Sequence, residues 1–387
     1  VLVLLVVSCS VRVHADEKTY NGRTLAEWRQ QIQRLDFTDP SRGKFVTGLM
    51  EIVADPDVPW YSRRQASLTL GRMGDAAEPA ISLLESLLAD ERPDAATCPQ
   101  SWAAKALGLM GPLAAPTTET LVKVLWSETA GDLARLSAID ALSRIGTAHP
   151  HAIPALIELL DRPVGHSDFQ LTRSAACEAI KFVGPAASPA IPRLLRLLES
   201  SDETLRRLAL EALGSIGPAA DFAAPAVFDA MTLDESPAVA DAAEAALKQM
   251  GHTLEPQLVQ LLAVDDEVLK RRCLRVLGSW KPRSRESQTA IEDIAFSATD
   301  GSTRLEALTI LWPDPKRDTR WQDSLLACLI DEDRDVRLRA LRLLAQPSPN
   351  ASALAARLEQ ELQQTDTERE LLIRALNALR PDEPPMK

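Results

Sequence analysis

Aromatic residues are scarce in this chain: 7 Phe, 7 Trp and 2 Tyr make up 4% of 387 residues. A core with so few rings suits a helical array packed from Leu and Ala, and no alternating apolar run competes as a strand signal. Cations are outnumbered, 43 basic residues against 55 acidic, which leaves a net charge of −12. That balance excludes a general affinity for phosphate backbones, so nucleic acid is not an expected partner. Only five His are present. No Gly-x-Ser-x-Gly elbow, phosphate loop, dinucleotide fingerprint or Cys-x-x-Cys-His haem site occurs. No cofactor is implied, and the chain is not expected to be an enzyme.

What the chain has is a ladder. Ala66, Ala103, Ala138, Ala176, Ala209, Ala243, Ala307, Ala340 and Ala375, with Cys273 filling the gap, span 309 residues in nine intervals, a mean of about 34. Four positions after each stands an aliphatic residue: Leu70, Leu107, Leu142, Ile180, Leu213, Leu247, Leu277, Leu311, Leu344 and Leu379. A period of this size is the mark of a solenoid.

Each unit reads as two amphipathic helices, A and B, with apolar residues at i, i+3, i+4 and i+7; Pro192–Leu198 and Arg206–Gly214 write the pair most clearly. Asp202, Asp266, Asp300 and Asp333 stand where helix B should begin, each four residues before a basic residue, Arg206, Lys270, Arg304 or Arg337. That spacing predicts N-caps facing i,i+4 partners. Gly74, Gly111, Gly146, Gly184, Gly217 and Gly251 are expected to end helix B in a left-handed cap, a signal replaced in the other units by Lys281, Pro315, Ser348 and Glu383. Pro79, Pro116, Pro154, Pro192, Pro225 and Pro256 are expected to open the next helix A. One pair cannot bury its own apolar face, whereas about ten stacked pairs share a core.

Over roughly residues 43–380 this pattern resembles the HEAT repeat, in the variety found in bacterial HEAT-repeat proteins and in bilin-lyase-type HEAT repeats. The resemblance implies an all-α, armadillo-like superhelix and, most often, a protein-binding scaffold; a bilin-lyase-like or other HEAT-type enzyme and a purely structural envelope component are the alternatives. HEAT-based iron hydroxylases carry paired His-Glu dipeptides, and none occurs here.

At the front, Val1–Val7 is wholly apolar and Val13-His14-Ala15 looks like a cleavage site, so residues 1–15 read as a signal peptide lacking its start. Val6-Val7-Ser8-Cys9 also loosely resembles a lipoprotein box, which would put a lipid on Cys9, and a retained anchor is a third outcome. In a bacterial exporter each places the repeats in the periplasm, the cell envelope or the exterior. Residues 16–42 are a linker and a capping helix: Thr24 and Glu27 spell a capping box, Leu25, Trp28 and Ile32 make a stripe, and Tyr20–Trp28 looks like the leader of exported bacterial HEAT proteins. Pro381, Pro384 and Pro385 mark 381–387 as a disordered tail.

Cys98, Cys177, Cys273 and Cys328 lie at least two units apart, too far for the roughly 7 Å Cα separation a disulfide needs, and are expected as free thiols, with Cys98 the exposed one. His149, His151 and His166 share the loops of one repeat but, with no nearby Cys and with Pro150 fixing the loop, are not expected to hold a metal. Asp331–Asp335 lacks the Gly and Glu of a calcium loop, having Val336 and Arg342 there.

The residues two after each Ala lie off the buried stripe of helix B: Asp140, Glu178 and Glu211 in the middle repeats, then Arg275 and Arg342. Arg272, Arg339 and Arg374 add to the basic end from the position one before. Since HEAT arrays commonly use helix B as their groove, Arg272, Arg275, Arg339, Arg342 and Arg374 are the candidate site for an acidic protein segment or anionic envelope polymer. Solvated faces and inter-repeat ion pairs are the competing explanation of those charges. Trp102, Trp126, Trp280 and Trp312 are either groove anchors or packing residues.

Overall fold

The computed structural model describes residues 18–90, 98–161, 168–281, 283–312 and 319–344, with short helical pieces at 355–356, 359, 373 and 375–377. The signal region, Cys9, Leu379 and the 381–387 tail lie outside the described residues. Two compact units divide the chain, Val1–Ile216 and Gly217–Lys387.

The first unit opens on a short hairpin, β1 (Thr19–Tyr20) and β2 (Arg23–Thr24), followed by α1 (Leu25–Gln33). Five helix pairs follow: α2 (Val46–Ala54) with α3 (Trp60–Met73), α4 (Ile81–Leu88) with α5 (Pro99–Met110), α6 (Thr118–Trp126) with α7 (Asp132–Ile145), α8 (Ala152–Leu159) with α9 (Asp168–Val183), and α10 (Ile191–Leu197) with α11 (Glu203–Ile216). The second unit carries α12 (Ala224–Leu233) with α13 (Pro237–Met250), α14 (Glu255–Leu261) with α15 (Glu267–Ser279), α16 (Arg285–Ser297) with α17 (Gly301–Leu311), and α18 (Thr319–Leu329) with α19 (Arg334–Leu344). Both units are α-solenoids.

The ladder sets the packing. Every Ala of the column, and Cys273, is 0% exposed, and each described aliphatic residue four positions on is buried. Small side chains on the seam between the odd-numbered helices would leave voids in a larger spacing, so they set how closely successive B helices approach, while the Leu fills the layer between them. All six cap glycines take positive φ, from 52° at Gly146 to 108° at Gly251, where a Cβ is strained. Five of the six lead into a 3-10 turn that begins on the glycine itself. Pro79 and Pro116 sit in those turns rather than in helix A, a small correction to the expected position.

The four Asp caps are present, but three of the basic residues, Lys270, Arg304 and Arg337, reach elsewhere than the i,i+4 spacing put them. Asp266 accepts from the backbone N–H of Val268 and Leu269, and Asp300 from that of Thr303. Arg304 instead reaches back to the Ala298 carbonyl, Arg337 to the Asp331 carbonyl, and Lys270 to Glu267. The reason is side-chain direction: a helical side chain leans toward its own N-terminus, which here faces the end of helix A. Arg63, Arg135 and Arg206 do the same to the carbonyls of Val53, Ser127 and Ser200. A guanidinium three residues before the Ala thus satisfies orphan carbonyls where helix A ends and complements its negative dipole end.

The N-terminal segment is more ordered than a linker. Asn21 and Gly22, both at positive φ, turn the hairpin, and the Thr24–Glu27 capping box forms as expected. Trp28 is 1% exposed, donates its indole N–H to the Tyr20 carbonyl at 2.8 Å and stands edge-on to Phe45, so the segment closes the first layer.

Cys177, Cys273 and Cys328 are buried and Cys98 is half-buried in a left-handed conformation; all four are free. Burial pushes the Cys177 and Cys273 thiols up to about 12 and Cys328 to about 11. With a thiol reagent at pH 8, Cys98 should react first and the other three only on unfolding; equal rates for all four would contradict the packed seam.

Candidate functional site

The described residues of the ridge two after each Ala, from Leu68 to Asn377, are half-buried or exposed, as the helical period requires. In the second unit, however, most of its positive charge is already matched. Glu244 on α13 occupies the position one after the Ala, a column held elsewhere by Ser67, Ala104, Ile139, Cys177, Leu210, Leu274, Leu308, Leu341 and Leu376. It is 6% exposed and therefore needs partners. Arg275 supplies two hydrogen bonds, at 2.9 and 2.6 Å, Lys248 one at 2.8 Å, and Arg272 lies 3.4 Å away. Arg272 also pairs with Asp241 at 2.8 Å, and Arg339 with Glu306 at 2.7 Å. Burial alone would raise the Glu244 pKa, but the hydrogen bonds from Arg275 and Lys248 outweigh it and hold the carboxyl below its ordinary range.

Of the predicted site residues, Arg272, Arg275 and Arg339 are thus inter-repeat ion-pair partners, while Arg342 is exposed and makes no ion pair with another described residue. Arg374 lies outside the described residues. Arg275 borders a cavity.

That cavity is a cleft of about 310 Å³ open to solvent beside α13, α15 and α17. Lys248, Gly278 and Trp312, each five after the column residue of its repeat, run across it, and Arg275, Lys281 and Arg283 add three more cations, with Glu306 the one acid in the lining. Gly278 makes room for it: a Cβ there would stand 2.8 Å from the Ile310 side chain. Lys281 is exposed and has no ion pair with another described residue. Arg283 donates to the carbonyls of Leu277 and Gly278 at 2.9 and 3.1 Å, closing α15 where the repeat has Lys281 in place of a cap glycine. Burial lowers its pKa from the ordinary arginine value. Trp312 is 9% exposed, stacks on Trp321 with centroids 4.9 Å apart, and its indole N–H has no partner among the described residues.

Trp102 and Trp280 are packing residues, Trp280 donating to the Lys248 carbonyl at 3.0 Å, whereas Trp126 is 37% exposed. In the first unit the cavity beside α7 and α9, about 380 Å³, has the opposite sign: Leu136, Ile139, Ala179 and Phe182 meet Asp140 and Glu178. The ridge columns alone leave out Lys248, Trp312 and the cations that follow α15. Their signal in the sequence is the lost cap glycine at 281 with basic residues on both sides of Pro282.

The HEAT repeats model matches residues 164–248, and the PBS lyase HEAT-like repeat model matches residues 134–162. The chain thus carries HEAT repeats within residues 134–248. No curated protein matches it. Among solved structures it is similar to Kap95p, whose binding induces the switch loops of RanGDP to adopt the GTP-bound conformation, at 13% identity over 95% of this chain and 53% of that one, with a TM-score of 0.54. This chain thus spans about half of Kap95p. The complex of CpcE and CpcF of phycocyanin lyase from Nostoc sp. PCC7120 shares 24% identity over 68% of this chain and 92% of that one, at a TM-score of 0.36. The likeness to Kap95p speaks to the fold: an all-α solenoid of the HEAT and armadillo kind. Among the described residues, no helix is long and apolar enough to cross a membrane.

Proposed function

We propose that this protein is a non-enzymatic scaffold that binds an acidic segment of another protein in the cleft beside α13, α15 and α17. The observation that carries the reading is the cleft's composition: four cations around Ile310 and Trp312 with a single opposing carboxylate. A carboxylate-bearing segment would meet Lys281 without displacing an internal pair. An apolar side chain next to that carboxylate would cover Ile310. The match to a PBS lyase HEAT-like repeat spans 134–162, outside the residues that line the cleft. The N-terminal sequence supports export to the periplasm, cell envelope or exterior, with cleavage after Ala15, a lipid on Cys9 or a retained anchor as its three forms.

Fluorescence anisotropy with a labelled Glu-rich peptide tests the cleft directly. Binding should weaken with salt, and Lys281→Glu/Thr309→Glu, both on exposed positions, should weaken it about tenfold, an effect of roughly 1.4 kcal/mol. Arg342→Glu, which lies off the cleft, should change it less than about twofold. Equal binding by the cleft variant and the native protein would overturn the assignment.

A further inference from the structure

We infer that Glu119, His149 and His151 form a binding site for a divalent transition-metal ion of the zinc, nickel or copper class. The three residues come from two successive repeats of the first unit. Glu119 lies in the first turn of α6, His149 follows the 3-10 turn after Gly146, and His151 is the N-cap of α8. One ligand atom from each lies within 4.8 Å of the other two. His151 Nδ1 stands 2.5 Å from a Glu119 carboxylate oxygen, and His149 Nδ1 accepts a 3.3 Å bond from the backbone N–H of His151. The two rings meet edge to face with centroids 5.4 Å apart.

Donors around a tetrahedral ion at about 2.1 Å stand about 3.4 Å from one another, so side-chain rotations of about 1 Å close the set. Pro150 limits the backbone between the two His, which keeps both imidazoles on the side facing Glu119. Two imidazoles and one carboxylate are borderline donors; they select zinc, nickel or copper over calcium and magnesium, which require more oxygens. Glu119 and His151 are exposed and His149 half-buried, so solvent fills the remaining coordination position. His166, the third His of this repeat, lies outside the described residues and is not needed for the set. An ion here takes the place of the proton between His151 and Glu119 and ties the start of α6 to the start of α8.

Titration of the tag-free full-length protein with zinc against a chromophoric chelator tests the site. One equivalent is expected to bind, with His149→Ala/His151→Ala weakening it at least about tenfold and Glu119→Gln weakening it severalfold. Cys98→Ala, which removes the most accessible thiol, should leave that equivalent unchanged. Zinc should also raise the unfolding temperature of the native protein and not that of His149→Ala/His151→Ala. Absence of a stoichiometric ion, or equal affinity in the native protein and the double His variant, would overturn the inference and leave His151 and Glu119 as an inter-repeat ion pair only.

Discussion

Gly71→Leu is expected to destabilise the first unit by about 3 kcal/mol or more in urea unfolding, among the largest effects of any single exchange in the chain. A Cβ on Gly71 would stand 2.5 Å from the backbone oxygen of Ala106 and 2.8 Å from its Cα, where α3 and α5 touch. Backbone cannot rotate out of the way, so the helices must separate, and separation opens the seam that Ala66, Ala103, Leu70 and Leu107 fill. Even Gly71→Ala should lose about 1–2 kcal/mol, although the same exchange in an unobstructed helix gains up to about 1 kcal/mol. Gly278 supplies the contrast. There the obstacle is the Ile310 side chain at 2.8 Å, the movable end of a flexible group. Gly278→Ala should therefore stay within about 0.5 kcal/mol of the native protein while narrowing the cleft. Equal losses at Gly71 and Gly278 would mean that the distance between B helices is not what the small-residue seam controls.

Glu244→Ala should cost about 2–3 kcal/mol, because it leaves Arg275, Arg272 and Lys248 crowded without their shared acid. The figure is set below the usual loss for a fully buried pair, since Arg275 and Lys248 keep 37% and 34% of their side chains in water. The pH dependence has a definite sign. The folded carboxyl titrates below its ordinary value of 4.5, so its contribution is complete above about pH 4.5 and is lost as pH falls through the depressed folded value. Stability profiles of the native protein and Glu244→Gln should run apart at neutral pH and converge in acid. The same exchange should strengthen binding of the Glu-rich peptide severalfold, because Glu244 occupies Arg275 as a partner's carboxylate would. Loss of both stability and peptide binding would show instead that Glu244 mainly holds Arg275 in place.

Most of the fold is written along single columns of the repeat. The Ala column, the aliphatic residue four on and the glycine that ends helix B each serve the same purpose in nearly every copy, so one sequence shows them. What is not visible that way is the contact between columns. Arg272 and Arg275 find Asp241 and Glu244 on the preceding helix B, 28 to 31 residues upstream, whereas a reading along one helix sees only a basic face. Glu119 meets His151 from 32 residues away by the same inter-repeat lag. Spacing pairs Arg304 and Arg337 with the Asp four residues earlier because it shows proximity and not direction; both side chains lean past that Asp to the carbonyls ending helix A. One clue was open to inspection: Glu244 is the single acid in a column of apolar and small residues, and such an acid requires cations nearby.

The most direct test of the scaffold reading places a photo-crosslinking amino acid at Thr309, exposed on the cleft, and a second at Thr289, exposed on α16, in the native cell. Crosslinking from Thr309 to one discrete protein through an acidic segment, with no such product from Thr289, is the predicted result. The same products from both positions, or none from Thr309, would contradict it.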